Sequence, residues 1–240
     1  MDKLFDIIHE DAELLVVNKP ADLVCHPTKG DALSSLISRA RVYLGNEGTP
    51  RLVNRLDRET SGVTIIAKTP EVAGELGRVW ETRAVEKQYL AIVHGHLSDE
   101  TGVINGPLGK DENSRVAIKD CVRPDGAPAQ TEFTVLKRFE RAEGTFSSLR
   151  VVPRTGRKHQ IRIHLAHLGF PIVGDKLYGA DEDLYLALVE RRLSDEQRRR
   201  LLLPNHALHA SAVRFFWREH WREFRGEPES WFLGFQMVGC

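Results

Sequence analysis

Six short runs rich in β-branched and aromatic residues constrain this chain more than any other feature: Glu13–Asn18 (ELLVVN), Gly62–Lys68 (GVTIIAK), Gln88–Val93 (QYLAIV), Thr131–Leu136 (TEFTVL), Ser147–Val152 (SSLRVV) and Leu208–Phe216. Each suits the length and composition of a strand, and the first ends in Lys19-Pro20, which turns the chain into a loop. Helical patterns are fewer. Thr69-Pro70 followed by EVAGELGRVWETRA supplies a cap, a proline in the first turn and apolar positions at 72, 76, 79 and 80, predicting a helix over about 70–83. GRKHQIRIHLAHL predicts a second helix over 156–168, ended by Gly169, and the charged stretch 183–203 a third helical region. Strands interleaved with a few helices place the chain in the α+β class with a largely antiparallel sheet.

No Pro/Gly/Ser linker, low-complexity tract or internal repeat interrupts the 240 residues, so a single domain over 1–240 is the expectation. With 41% hydrophobic and 28% charged residues, the composition excludes a disordered chain and favours a globular one. No apolar run approaches the roughly 20 residues of a spanning helix, and the N-terminus carries scattered acids without a cleavage site, so a cytoplasmic protein away from membranes is expected. Cys25, Cys121 and Cys240 are odd in number and far apart, which argues against a disulfide framework. Lysine plus arginine equals aspartate plus glutamate at 34 each, so an anionic partner must be held by local charge. Such charge lies between Arg150 and Leu168, where Arg150, Arg154, Arg157, Lys158 and Arg162 stand without an acid among them. A solvated basic face and an anion site both fit that run.

NRLDRETSG at 54–62 sets Asp57 between Arg55 and Arg58, on a polar segment that precedes the GVTIIAK strand. A neighbouring cation favours the charged carboxylate, which makes Asp57 either a ready nucleophile or base, or one half of a structural salt bridge. RTGRKHQIRIHLAHLG places Arg157, Lys158 and His159 in the opening turns of the expected helix, a position that favours phosphate. Ile161, Leu165 and Leu168 would share its apolar face with Arg162 at the edge. His164 and His167, three apart, read as structural histidines ahead of metal ligands, since no cysteine or carboxylate cluster accompanies them. In EKQYL at 86–90, Tyr89 fits either a core tyrosine or a base-stacking face, with Lys87 on the same side. The RRR at 198–200 reads as a solvated helix face.

These pieces, in this order, resemble the RluA-like family of RNA pseudouridine synthases. NKPADLVCHP at 18–27, RLDRETSG at 55–62, EKQY at 86–89, RTGRKHQIRIHLAHLGFPIVGDKLYG at 154–179 and LHA at 208–210 carry the resemblance over roughly residues 4–216. It implies a mixed, largely antiparallel sheet flanked by helices and loops around a central cleft, and isomerisation of uridine in ribosomal or transfer RNA without metal, nucleotide or redox cofactor. It assigns Asp57 as the essential aspartate acting at the ribose, either attacking C1′ or taking the C2′ proton. Arg162 is the basic residue paired with it, Tyr89 the aromatic packed on the target base, and Arg55 the arginine that fills the gap left by a flipped nucleotide. Arg58, Thr60, Lys87, Arg157, Lys158 and His159 fall in the same motifs and are expected at the RNA. The family usually has His at the position of Asn54 and Gly at that of Asp22, and WREHWREFRGEPESWF replaces its usual Pro-rich ending.

The resemblance also implies that the small N-terminal S4-type RNA-binding domain of many relatives is missing and that the partner is RNA and not DNA, and nothing in the sequence demands more than a monomer. Two other readings compete: a catalytically silent RNA-binding protein on the same scaffold, and a nucleoside or glycoside hydrolase, which would need a second carboxylate.

Overall fold

The structure, a computed structural model, describes residues 4–27, 33–45, 48–82, 84–179 and 181–237. Cys240 and residue 83, at the edge of an expected helix, lie outside them. In chain order the elements are β1 (Asp6–Glu10), β2 (Leu14–Lys19), α1 (Leu36–Leu44), β3 (Arg51–Leu52), β4 (Ser61–Ala67), α2 (Pro70–Glu81), β5 (Glu86–His94), β6 (Thr101–Asn105), β7 (Leu108–Lys110), β8 (Asp120–Val122), β9 (Gln130–Arg141), β10 (Gly144–Pro153), α3 (Gln160–His167), α4 (Asp183–Val189), α5 (Asp195–Leu201), β11 (Leu208–Trp217), β12 (His220–Arg225) and α6 (Ser230–Gln236). The fold is α+β with mostly antiparallel pairing, and the chain divides into two compact units, residues 1–88 with 209–230 and residues 89–208 with 231–240.

In the first unit β2 pairs antiparallel with β1 and with β4, the latter in register from Leu14↔Ala67 to Lys19↔Gly62. Every residue of β4 is buried because both its faces are covered. Val63, Ile65 and Ala67 pack with Val72 and Leu76 of α2, while Ile66 packs with Leu36, Ile37 and Ala40 of α1. That double burial explains why GVTIIAK is apolar almost throughout instead of alternating. Thr69 caps α2, its hydroxyl accepting from the Val72 N–H, with Pro70 in the first turn as the sequence predicts.

β11 runs parallel to β4 at His209↔Ser61 and Ala210↔Gly62. The approach is close enough that a Cβ on Gly62, whose φ is +118°, would stand 2.3 Å from the Ala210 carbonyl oxygen. Gly62→Ala is therefore expected to destabilise the protein by about 2–4 kcal/mol, combining an unfavourable φ with a backbone clash. A lowered urea midpoint with unchanged slope is the check; an unaltered midpoint would refute the close approach.

The second unit is built on the β9–β10 hairpin, paired from Thr131↔Pro153 to Arg141↔Gly144 with an irregularity at Ser148/Leu149. β5 pairs with β10, and β6 with β9. Phe133, Phe139, Phe146, Leu149 and Val151 form a core with Ile161 and Leu165 of α3. The expected helix over 156–168 is shorter than predicted. Gln160 accounts for the difference: its Oε1 accepts from the Thr155 hydroxyl (2.6 Å) and the Arg157 N–H (3.1 Å), and its Nε2 donates to the Gln130 carbonyl (2.9 Å), so the preceding residues form a turn. His159, at φ 55°, sits outside the helical region. Leu168 is exposed and not on the apolar face assigned to it.

The charged stretch 183–203 holds two helices. Arg191 turns to φ 57° after α4, and Ser194 with Gln197 makes a capping box for α5, on which Arg198–Arg200 face solvent. The WREHWREFR segment forms the β11–β12 hairpin, burying Trp217 and Phe224 and exposing Trp221. Among the described residues no helix is long and apolar enough to cross a membrane.

Candidate active site

Asp57, Arg55, Arg58, Thr60 and Lys87 lie in the first unit; Tyr89, Arg157, Lys158, His159 and Arg162 lie in the second. Asp57 is half-buried on the loop between β3 and β4, as its polar surroundings predict. The Thr60 N–H donates to the Asp57 carbonyl at 3.2 Å and closes a tight turn. Asn54 replaces two strand hydrogen bonds at the loop's entrance, donating to the Val63 carbonyl (3.1 Å) and accepting from the Ile65 N–H (2.8 Å). An amide at position 54 therefore does the closing.

The loop is held on both sides of Asp57 by the NKPADLVC segment. Cys25 Sγ accepts from the Leu56 N–H and donates to the Leu56 carbonyl, both at 3.4 Å. Lys19, at 0% exposure, donates to the carbonyls of Pro20 (2.9 Å), Leu23 (2.8 Å) and Arg58 (3.1 Å). Burial pulls its ammonium down to about 8, opposed by the charges of Glu229, Asp57 and Asp22. Lys19 is thus a buried cation that feels the Asp57 charge and holds the residue after it, and neighbouring-residue reasoning does not find it. Arg58, by contrast, turns to solvent and bonds Asp22 at 2.7 Å. Asp22 takes φ 64°, the left-handed conformation that favours glycine. Arg55 is exposed and Thr60 buried.

A pH dependence follows from Lys19. Its folded pKa lies below the unfolded value near 10.4, so burying the charged form costs stability below pH 8, and that cost fades as pH rises from 8 to about 10.4. Loop order runs the other way, because a neutral amine has two hydrogens for three carbonyls. Activity is expected to fall on a basic limb near pH 8 that Lys19→Arg displaces upward; a flat profile from pH 7 to 9.5 would contradict this assignment.

In the second unit, Arg162 projects from α3 at 7% exposure and meets Asp175 side-on, Nε to Oδ2 at 2.7 Å and Nη2 to Oδ1 at 2.9 Å. Asp175 Oδ1 also accepts from the N–H groups of Leu177 and Tyr178, each at 2.9 Å. Burial alone would raise this carboxyl; the Arg162 charge and hydrogen bonds outweigh it and hold Asp175 well below the usual range. The Tyr178 ring lies 5.0 Å from the Arg162 guanidinium carbon. Arg157 and Lys158 are exposed in the turn before α3, outside the helix, with Lys158 2.9 Å from Asp120. Tyr89 is half-buried on β5, opposite Val151 of β10, with one side against the core. On the same strand Lys87 is half-buried, and burial lowers its ammonium. His164 is buried between the Thr131 hydroxyl (2.8 Å) and the Gly106 carbonyl (2.9 Å), a structural histidine as expected.

The family described as RNA pseudouridylate synthase matches residues 13–167, a span that includes Asp57, Tyr89 and Arg162. The chain belongs to this family. It is 37% identical over 180 residues to the uncharacterized RNA pseudouridine synthase YlyB of Bacillus subtilis, covering 72% of this chain and 57% of that protein. It is 32% identical over 214 residues to ribosomal large subunit pseudouridine synthase D of Salmonella typhimurium, covering 88% and 62%. With the dual-specificity RNA pseudouridine synthase RluA of Vibrio parahaemolyticus it shares 36% identity over 221 residues, 90% and 80%. The chain thus spans little more than half the length of several relatives. The solved structure of human RNA pseudouridylate synthase domain containing 1 is similar with a TM-score of 0.75 at 25% identity, covering 95% of this chain and 86% of that one.

Within this family frame, Lys19, Cys25 and Asp175 are the site-supporting residues that composition and spacing leave unassigned. A further link joins the end of the Asp57 loop to the C-terminal part of the unit. Ser61 Oγ lies 2.9 Å from His209 Nδ1, and His209 Nε2 donates to the Gly226 carbonyl at 2.9 Å. The next residues continue the contact: Glu227 accepts from Asn18 Nδ2 at 2.8 Å and Glu229 from the Ala21 N–H at 3.0 Å. The segment after β12 therefore packs against the end of β2 and the loop that follows Lys19.

Proposed function

We propose that this chain is an RNA pseudouridine synthase that isomerises uridine in ribosomal or transfer RNA, with Asp57 as the residue that acts at the ribose. The observation that carries the reading is the pinning of the Asp57 loop: the residues before and after it, Leu56 and Arg58, are bonded through their backbones to buried Cys25 and Lys19, which fixes the chain on both sides of Asp57 while leaving Asp57 half-exposed. An ionised carboxylate on a fixed loop serves either attack at C1′ or removal of the C2′ proton. The N1–C1′ bond then breaks, the uracil turns and C5 bonds to C1′ as the bond to Asp57 breaks or the C2′ proton is returned; C5 gives up its proton and N1 takes one, so the product is an isomer of uridine. Flipping the nucleotide out of its stack costs a few kcal/mol and is cheapest in loops. In this reading Arg162 takes the role of the family's basic residue, Tyr89 that of the aromatic packed on the base and Arg55 that of the arginine that fills the vacated stack. Arg58, Lys87, Arg157, Lys158 and His159 contact the RNA. The same reading places a monomer in the cytoplasm.

The test is tritium release. Purified protein incubated with RNA carrying tritium at uridine C5 should release tritium to water without freeing uracil. Free uracil would indicate a hydrolase, and no release from total cellular RNA would remove the synthase reading.

A further inference from the structure

Asp175 and Tyr178 surround Arg162 from two directions. Asp175 fixes the edge of the guanidinium through two hydrogen bonds, and Tyr178 lies against its face. The two are tied to each other, because Asp175 Oδ1 accepts from the Tyr178 N–H. Both are nearly inaccessible to solvent, so neither can meet RNA directly. The Tyr178 hydroxyl has a second task. It accepts from the Asp120 N–H at 3.3 Å and is hydrogen-bonded to His159 Nδ1 at 2.9 Å. His159 holds the left-handed conformation at the end of the turn bearing Arg157 and Lys158, and a non-glycine residue persists there only when its surroundings fix it. One tyrosine thus touches the buried cation with its ring and the exposed basic turn with its hydroxyl.

We propose that Asp175 and Tyr178 are positioning residues of the reaction: Asp175 and the Tyr178 ring fix the plane of the Arg162 guanidinium, while the Tyr178 hydroxyl sets the His159 turn that presents Arg157 and Lys158 to RNA. The proposal rests on the synthase reading given above. It separates two effects that a purely structural role would merge. Loss of the edge or face contact reorients a group needed at the reacting centre and acts on kcat. Loss of the hydroxyl loosens an RNA-contacting turn and acts on KM.

The experiment compares Asp175→Asn, Tyr178→Leu and Tyr178→Phe with wild type by tritium release, normalised to folded protein by thermal unfolding. Asp175→Asn and Tyr178→Leu are expected to lower kcat by about 10- to 100-fold with KM changed much less, the scale on which misplacing a catalytic group acts. Tyr178→Phe keeps the ring and is expected to raise KM about fivefold, the worth of one hydrogen bond, with the smaller part of its loss in kcat. Tyr178→Phe removes a single oxygen, so it keeps the test alive if Asp175→Asn, which leaves a buried guanidinium unpaired, does not fold. Equal effects of Tyr178→Leu and Tyr178→Phe, or wild-type kcat and KM in the folded variants, would overturn the positioning role while active wild type leaves the synthase reading standing. Wild type that releases no tritium overturns both.

Discussion

Asp57→Asn is expected to stop tritium release from C5-labelled RNA, with a fall of about 10⁴-fold or more, the size seen when the one group carrying a reaction is lost. The substitution keeps the size of the side chain and removes its charge, so neither attack at C1′ nor removal of the C2′ proton survives it. The fold should tolerate it. Asp57 is only half-buried, and its loop is held through the backbones of Leu56 and Arg58. The thermal midpoint and RNA affinity should stay near those of wild type. A variant that keeps a tenth of the activity would show that another group does the chemistry.

Lys19→Met should have the second largest effect, and it should combine lost stability with lost activity. The ammonium satisfies three backbone carbonyls inside the first unit, those of Pro20, Leu23 and Arg58. Methionine fills a similar volume and donates to none of them. Stranding buried acceptors costs roughly 1–3 kcal/mol each, offset by relief from burying a charge, so a net loss of about 2–4 kcal/mol is expected in urea unfolding. Because one of those carbonyls belongs to Arg58, the residue after Asp57, the folded fraction should also turn over more slowly. A variant as stable as wild type would mean that water reaches these carbonyls.

The two predictions draw on features of unequal legibility. The loop position of Asp57 is readable because it stands on a polar stretch before a strongly β-branched run, which the covered β4 strand explains, while its role rests on the resemblance of RLDRETSG to the family's motif. Lys19 is not. Lysine reads as surface charge, and its partners are backbone oxygens, one of them 39 residues away, which leave no mark in the sequence. The pairing of Arg58 with Asp22 is hidden for the same reason, and it shows that adjacency to an aspartate does not make an arginine its partner. The start of α3 is misplaced by periodicity because Gln160 spends its side chain on Thr155, Arg157 and Gln130 and folds a turn where the pattern continues a helix. The small strands β6 to β8 escape because they are short and partly exposed, so alternation over three to five residues carries little signal. Asp175 sits in GDKLYG, yet nothing in that hexapeptide points to an arginine 13 residues earlier; only the folded turn joins them.

Mapping pseudouridines in cellular RNA from a strain lacking this gene, complemented either with wild type or with Asp57→Asn, tests the central claim most directly. One or more positions should regain pseudouridine with wild type and stay uridine with Asp57→Asn, which names the substrate and places Asp57 at the chemistry together. Identical maps from the two complemented strains would contradict it.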